Sequence, residues 1–448
     1  MNNSTFIKKT IVALATPYGK SAVAVIRISG DGCIHVVGRF LARELKVGKL
    51  AVNEFKFGDF KENLMAVCFK APRSYTGEET VELYPHGNII ICDRIIKILV
   101  EHGGMKVAER GEFTRRAFLN GKLDLMQCEA LADIIDSETE EQLSYGNKRY
   151  DGGFSALKHA AATLKKALST VEAVLHYSDE LENEEIDDRI TADVYDAVDK
   201  VITELKGEID GYASGRIIND GMRVALIGAP NVGKSTLLNA LTGSDRAIVT
   251  PIAGTTRDTI DGEFVYKGRK FIVTDTAGLT KTDDIVEGMG VERAKKAALD
   301  ADAVVFVTTE DDGVAEACVS EKAIIIRVVN KCDGKKDCGE DYKKAIDSNG
   351  RLQISAKNSV NIVALKQKLY DSYPKSFGEI CNHRQYSCAV RCLDACIAAR
   401  DEGKKAQGLE IVAAALYDAY SAMCELYGEG DADESVIGAV FERFCVGK

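Results

Sequence analysis

Gly228-Ala229-Pro230-Asn231-Val232-Gly233-Lys234-Ser235 fills every fixed position of the phosphate-binding pattern G-x-x-x-x-G-K-[ST]. Its flanks supply the context that pattern needs. Arg223-Val224-Ala225-Leu226-Ile227 is a short apolar run with β-branched residues, and Thr236-Leu237-Leu238-Asn239-Ala240-Leu241 reads as a helix, which puts the loop at a strand-to-helix junction. There, glycines let backbone N–H groups turn onto a phosphate, and the helix N-terminus adds partial positive charge. Lys234 can reach the β- and γ-phosphates, and the Ser235 hydroxyl can take a Mg²⁺ ligand position. The loop alone leaves ATP and GTP open.

The base is decided further along. Asn330-Lys331-Cys332-Asp333 follows the apolar strand Ala323-Ile324-Ile325-Ile326-Arg327-Val328-Val329, and Ser355-Ala356-Lys357 follows Leu352-Gln353-Ile354. A carboxylate at Asp333 can accept hydrogen bonds from guanine N1–H and N2–H₂, which adenine does not offer in that arrangement. Sites built on such bonds reject an analogue lacking them by roughly 10⁴-fold, so the nucleotide is GTP. Asp275-Thr276-Ala277-Gly278 ends the strand Lys270-Phe271-Ile272-Val273-Thr274, where an aspartate can hold the Mg²⁺ shell and a glycine N–H can sense the γ-phosphate. Leu279 then stands where Ras-type GTPases carry a water-orienting glutamine. Hydrolysis therefore needs a substitute for that glutamine and another for the charge of an arginine finger. In the effector-type loop Ile248 to Asp258, Thr256 is the expected second hydroxyl on Mg²⁺.

At 448 residues the chain exceeds one ordinary core, so several domains are expected. Its hydrophobic content of 46%, with only 6 prolines, describes a globular protein. No apolar run approaches the roughly twenty residues of a membrane span, and Met1 to Thr10 lacks the apolar core of a signal peptide. Thirteen scattered cysteines suit reduced thiols. These features predict a cytoplasmic protein. A net charge of −11 argues against gripping nucleic acid by bulk electrostatics, so an RNA contact would need a local patch or a partner subunit.

Residues 1 to about 120 mix strand-like runs, Ala22 to Gly30 and Leu64 to Lys70, with an amphipathic helix from Asn88 to Glu101. Three polar clusters, Ala15 to Gly19, Tyr75 to Glu79 with Glu82 and His86-Gly87, and Gly111 to Arg116, read as turns by composition. From about Leu123 to Asp210 the period becomes 3.6: Leu157, Leu164, Leu168, Val171, Val174 and Leu175 share one face, and Val194, Val198, Val201, Ile202, Leu205 and Ile209 another. The charge run Ser178 to Glu185 between them reads as a solvated loop. Helical periodicity returns from about 380 to 444, so the bundle is built from two segments with the nucleotide domain between them. Cys388, Cys392 and Cys396 recur on one helix face and read as buried packing residues rather than a metal site.

With these residues in view, the chain closely resembles the tRNA-modification GTPases called MnmE or TrmE. The marks are the phosphate loop, Ala253-Gly254-Thr255-Thr256-Arg257-Asp258, Ala117-Phe118-Leu119-Asn120-Gly121-Lys122-Leu123-Asp124-Leu125, and Phe444-Cys445-Val446-Gly447-Lys448. The resemblance implies a multidomain α/β + α protein. Its parts are an N-terminal α+β folate-binding-like and dimerisation domain (1–122), a discontinuous helical bundle (123–218 and 375–448) and an inserted Ras-like P-loop GTPase domain (219–374). It implies a nucleotide-contacting set of Asn231, Val232, Gly233, Lys234, Ser235, Thr236, Thr250, Pro251, Ile252, Ala253, Gly254, Thr255, Thr256, Asp275, Thr276, Ala277, Gly278, Asn330, Lys331, Asp333, Ser355, Ala356 and Lys357.

It further implies K⁺-stimulated hydrolysis, with Asn231, Thr250, Ile252 and Thr255 holding the cation and Glu287 orienting water in place of Leu279. A 5-formyl-tetrahydrofolate-type one-carbon donor would meet Arg27, Glu82, Lys122 and Lys448, where a cation pair suits the folate's glutamate tail and a carboxylate suits the pterin N–H groups. Cys445 is the expected catalytic thiol. The implied assembly is a homodimer that works with an FAD-containing partner of the MnmG or GidA type, in a heterotetramer or larger. It would add an aminomethyl or carboxymethylaminomethyl group to C5 of the wobble uridine, position 34, of certain tRNAs. The competing reading is a ribosome-assembly switch of the Era or Der type; such proteins usually append a basic RNA-binding module, which an acidic chain does not favour.

Overall fold

The computed structural model describes residues 9–153, 155–177, 184–243, 262–275, 297–309, 323–404, 409–430 and 434–447. The first unit contains β1 (Ile11–Leu14), β2 (Ser21–Val23), β3 (Ile26–Ser29), α1 (Cys33–Gly38), β4 (Ala51–Phe57), β5 (Phe60–Phe69), β6 (Thr80–Tyr84), β7 (His86–Gly87), α2 (Ile89–Gly103), β8 (Lys106–Val107) and α3 (Glu112–Leu119). Six strands form one sheet in the order β4-β5-β6-β3-β1-β8, antiparallel except for the β1–β8 pair. Asn88 caps α2 by accepting the Ile90 N–H, and the helix stops at Gly104, whose φ of 70° suits glycine. Its buried Cys92, Ile95, Ile98 and Leu99 join Ile26, Ile28, Val81 and Leu83 of the sheet in one core.

Three sequence expectations need correction here. Of the second polar cluster, Glu82 stands in β6 and His86-Gly87 form β7 rather than a turn. The run Ala22 to Gly30 is not one strand: β2 pairs with β7 in a separate two-stranded ribbon, while β3 enters the main sheet. Gly111 to Arg116 is not a turn either. Gly111, at φ 64°, opens α3, and Arg116 is buried against Glu78 at 3.0 Å and Glu112 at 2.9 Å. Composition could not reveal this, because the partner Glu78 belongs to a distant cluster that reads equally polar.

Four helices follow: α4 (Leu125–Asp136), α5 (Glu140–Tyr150), α6 (Ser155–Tyr177) and α7 (Glu184–Asp220). Of the charge run, residues 178–183 lie outside the described residues, and Glu184 begins α7. Asp124 and Thr139 each form a capping box with the glutamine three residues on, which fixes where α4 and α5 begin.

From α7 the chain enters the nucleotide domain: β9 (Met222–Ile227), α8 (Lys234–Thr242), β10 (Gly262–Tyr266), β11 (Arg269–Asp275), β12 (Ala303–Thr308), β13 (Ile324–Val329), β14 (Leu352–Gln353) and α9 (Ile362–Asp371). Its sheet order is β10-β11-β9-β12-β13-β14, parallel except for the β10–β11 hairpin. β12 is buried throughout, as a central parallel strand with covered faces must be.

The chain then returns to the bundle as α10 (His383–Lys404), α11 (Leu409–Tyr427) and α12 (Glu434–Glu442). The predicted apolar stripes of α6 and α7 meet α10 and α11 in one core that also buries Cys388, Cys392 and Cys396. The nucleotide domain is thus inserted between two segments of one bundle.

The outgoing and returning chains cross at glycines. Gly211 and Gly215 on α7 face Gly378 and Ile380; a Cβ on Gly378 would sit 2.7 Å from the Gly211 carbonyl carbon, and one on Gly215 would run into the Ile380 carbonyl oxygen. Gly207, a turn before Gly211 on the same helix, has open space instead. Gly207→Ala should therefore stabilise the protein by about 0.5–1 kcal/mol, the usual gain in a helix interior. Gly215→Ala should destabilise it despite the same propensity gain. Urea melts of the two variants check the opposite signs.

Candidate functional site

The strand β9 delivers the phosphate loop and α8 continues it, as the sequence predicts. Gly233 has φ 97°, and a Cβ there would lie 2.5 Å from the Asn330 side-chain nitrogen, so conformation and space both exclude a larger residue. Asn231 also adopts a left-handed backbone, φ 64°, and is exposed. Lys234 is buried and its ammonium donates to the Gly228 and Ala229 carbonyls at 2.7 and 2.9 Å. Burial pulls its pKa below the ordinary lysine value, with Asp275 acting in the opposite direction. The Ser235 hydroxyl donates to Asp275 Oδ2 at 2.6 Å, so the two oxygens predicted to flank Mg²⁺ are already neighbours. Thr236 follows in the first turn of α8 and is exposed.

Asn330 is the joint of this site. Its side-chain N–H donates to Val232 O at 2.9 Å, and its oxygen accepts the Ala356 N–H at 3.0 Å. One buried amide thus fastens the phosphate loop, the Asn330–Asp333 turn and the Ser355–Lys357 turn together. Ser355, fully buried, donates to Asp333 Oδ1, which orients the carboxylate assigned to guanine, while Lys331 and Lys357 stay exposed. The sequence marks Asn330 as a motif position but not its bonds to the two neighbouring loops. Thr250, Pro251, Ile252, Ala253, Gly254, Thr255, Thr256, Thr276, Ala277, Gly278, Leu279 and Glu287 lie outside the described residues, as does Lys448.

A second cluster forms on the N-terminal sheet. Arg27 and Glu82 are register partners on β3 and β6, paired at 2.9 Å. The Arg27 guanidinium stands over the rings of Tyr75 and Phe113 at 5.5 and 5.8 Å, and it donates to the Gly447 carbonyl at 3.4 Å. Tyr84 donates to the other Glu82 oxygen at 2.6 Å; burial and that carboxylate push its phenol up to about 12. Lys122 reaches the Pro72 carbonyl at 3.3 Å, on the loop that also carries Tyr75. The structure therefore brings Arg27 to Glu82 and to Gly447 of the 443–447 segment, with Lys122, after α3, set against the loop that carries Tyr75.

That segment is held residue by residue. Phe444 is buried among Leu125, Cys128, Ala132 and Phe441, and its carbonyl accepts from Arg110 Nε at 3.2 Å. The Cys445 carbonyl accepts the Gly111 N–H at 3.5 Å, Val446 bridges Arg110, and Gly447 packs against Leu14 and Ala15. Cys445 itself is an exposed free thiol. Among the described residues no three His, Cys, Asp or Glu side chains come together as metal ligands, and no helix is long and apolar enough to cross a membrane.

Residues 10–122 match the family model described as GTP-binding protein TrmE N-terminus, and residues 125–445 match that of the MnmE helical domain. Among relatives, the tRNA modification GTPase MnmE of Pseudothermotoga lettingae is 36% identical over 98% of this chain and 99% of its own. The protein of that name from Aquifex aeolicus is 35% identical over 99% of this chain and 100% of its own. Of solved structures, a variant of Aquifex aeolicus Era bound to GDP and AlF4⁻ is 26% identical, covers 42% of this chain and 68% of its own, and gives a TM-score of 0.25.

Asn330→Ala removes both bonds of the joint and leaves Val232 O and Ala356 N unpaired. It should cost about 2–6 kcal/mol, the sum for two buried groups left unsatisfied. The loss should show as a lower melting temperature that added GDP restores only in part.

Proposed function

The chain belongs to the MnmE family of tRNA modification GTPases, and from that membership we propose that it is a K⁺-stimulated GTPase acting on the wobble uridine of certain tRNAs. GTP hydrolysis and tRNA modification are the family's activities, and the chain matches its relatives from end to end. The observation that carries the reading is the assembled nucleotide site: an exposed phosphate loop, a Ser235–Asp275 pair and an Asp333 carboxylate set by Ser355, joined through Asn330.

In this reading Lys234 leaves the loop carbonyls for the nucleotide's phosphates, and the loop N–H groups take the phosphate charge. Ser235 and Asp275, with Thr256, would hold Mg²⁺, which neutralises charge on the phosphates. Their oxygens fit that ion, being hard donors already side by side. Asn231 would hold K⁺ with Thr250, Ile252 and Thr255. Its left-handed backbone and exposed amide support the reading, and Leu279 gives the physical reason for needing such a charge. Glu287 would orient the attacking water.

The modification chemistry would use Cys445 and a folate-type one-carbon donor at Arg27, Glu82, Lys122 and Lys448. In support, Arg27 and Glu82 lie beside the segment that carries the thiol. An FAD-containing partner protein would share this step, and it would carry most tRNA contacts, which suits a chain of net charge −11. Homodimerisation through the N-terminal domain is consistent with the exposed Tyr18, Val52 and Ile90 there.

GTP hydrolysis should be several-fold or more faster in KCl than in NaCl, and Asn231→Ala should erase the difference. Equal wild-type rates in the two salts would remove the cation role. Cys445→Ser should spare GTP hydrolysis but abolish the wobble modification, read by nucleoside analysis of tRNA from a deletion strain carrying the variant. Normal modified nucleosides from that strain would refute the thiol's part.

A further inference from the structure

One buried carboxylate stands between the thiol-bearing segment and α5, a helix that also meets the nucleotide domain through Glu141 and Arg269. Asp133, on α4, has a side chain only 5% exposed. It uses both oxygens on different partners: Oδ2 takes the Arg149 guanidinium of α5, and Oδ1 takes Arg443 at 2.7 Å. Arg149 is equally buried, whereas the Arg443 side chain is 41% exposed and lies two residues before Cys445. A divided carboxylate of this kind fixes the distance between two guanidinium groups, because charge-assisted bonds are short and directional. Downstream of Arg443 the chain is pinned through backbone atoms, by Arg110 at Phe444 and Val446, by Gly111 at Cys445 and by Arg27 at Gly447. Among the described residues of the segment, Arg443 is the side chain that anchors it by charge to the helical bundle.

We propose that Asp133, acting through Arg443, is a positioning residue that sets the Cys445 thiol for the modification reaction. The inference rests on the reading of Cys445 as the reactive thiol. Asp133 touches neither substrate nor thiol. Its work is to hold the approach of the 443–447 segment, so that the Cys445 carbonyl meets Gly111 and the thiol stays exposed, two residues before the Gly447 carbonyl that Arg27 holds.

The same carboxylate ties that geometry to the nucleotide domain's support. α5 carries Arg149 near one end, and toward the other it carries Glu141, which accepts from Arg269 of β11 at 3.0 Å, and Gln142, which donates to Asn219 O at 2.9 Å. Tyr145, between them, donates to the Gly378 carbonyl at 2.6 Å. The thiol's anchor and the base of the nucleotide domain therefore share one helix.

Asp133 itself is a poor variant to test, because its loss would leave Arg149 buried without its carboxylate. Arg443→Met keeps the side chain's apolar length and leaves the Asp133–Arg149 pair intact. In the full chain, assayed with tRNA, the one-carbon donor and the FAD partner, Arg443→Met should lower kcat of modification about 10- to 100-fold, the range expected when a reacting group is misplaced by an ångström or less. KM for tRNA and GTP hydrolysis should stay unchanged. Arg443→Lys, which keeps the charge, should recover most of the rate.

A nitroxide attached at Cys445, its position verified by mass spectrometry, should report restricted motion in the wild type and faster motion in Arg443→Met. Unchanged kcat in Arg443→Met would overturn the positioning role, provided Cys445→Ser abolishes modification in the same assay. So would a fall in GTP hydrolysis that parallels the fall in modification, or a lowered kcat with no change in nitroxide motion. If Cys445→Ser modifies tRNA normally, the reading of the thiol fails first, and the two failures are told apart.

Discussion

The constraint on which this structure turns is that a domain inserted into a bundle must leave and return through the same place. The chain leaves on α7 and comes back at 378–382, and the two backbones approach so closely that only glycine fits at Gly215 and Gly378, while Gly211 touches Gly378 tightly. Hydrogen bonds complete the crossing. Gly378 N–H donates to Ser214 Oγ at 3.2 Å, Glu379 N–H to Glu208 at 2.8 Å, and Tyr373 reaches back to the Ile217 carbonyl at 2.8 Å. Backbone contact without intervening side chains resists shear, since close-packed interfaces have few intermediate arrangements. The nucleotide domain is consequently mounted on the bundle at both of its ends.

Charge reinforces that mounting where glycine cannot. Asp302, just before β12, takes both the Arg216 guanidinium of α7 and the Arg223 N–H at 2.8 Å. Its burial raises its pKa from the ordinary carboxylate value while Arg216 and Arg223 act against that rise. On the other side Arg269 sits between the rings of Tyr370 and Tyr373, at 4.6 and 4.5 Å, and points its guanidinium at Glu141 of α5. Lys270 divides itself between Glu138 and Glu263 at 2.9 and 3.0 Å. The Arg216–Asp302 pair, the most buried of these, holds geometry more than it adds stability, because desolvation offsets much of its attraction. Arg269 and Lys270 open β11, whose last residue is the Asp275 that meets Ser235.

What the sequence made legible, and what it hid, follows from the range of the interactions involved. The phosphate loop, the strands beside it and the apolar stripes of α6 and α7 are local patterns, and all are found where periodicity and spacing predict them. The burial of Cys388, Cys392 and Cys396 likewise follows from their four-residue spacing in an apolar setting. What failed depended on partners distant in sequence. β2 leaves the main sheet because it pairs with β7, far along the chain, and no local signal separates Val23 from Ile26. Arg116 looks solvated until Glu78 is brought to it, and Asp133 looks like the polar side of a helix until Arg443 arrives from 310 positions later. Buried ion pairs between remote segments leave no periodic trace in sequence, since each half alone has the composition of a surface.

These pairs also explain how one chain can keep two sites apart and yet connected. The nucleotide site and the Cys445 segment have separate supports: Asn330 gathers the first, while Arg110, Arg27 and Asp133 gather the second. Among the described residues α5 touches both, through Glu141 toward the nucleotide domain, with Tyr145 on the returning chain at Gly378, and through Arg149 toward Asp133. A helix of 11 residues is about 16 Å long and effectively rigid over that length. Its first turn meets β11 through Glu141, and at its last turn Arg149 shares a carboxylate with Arg443.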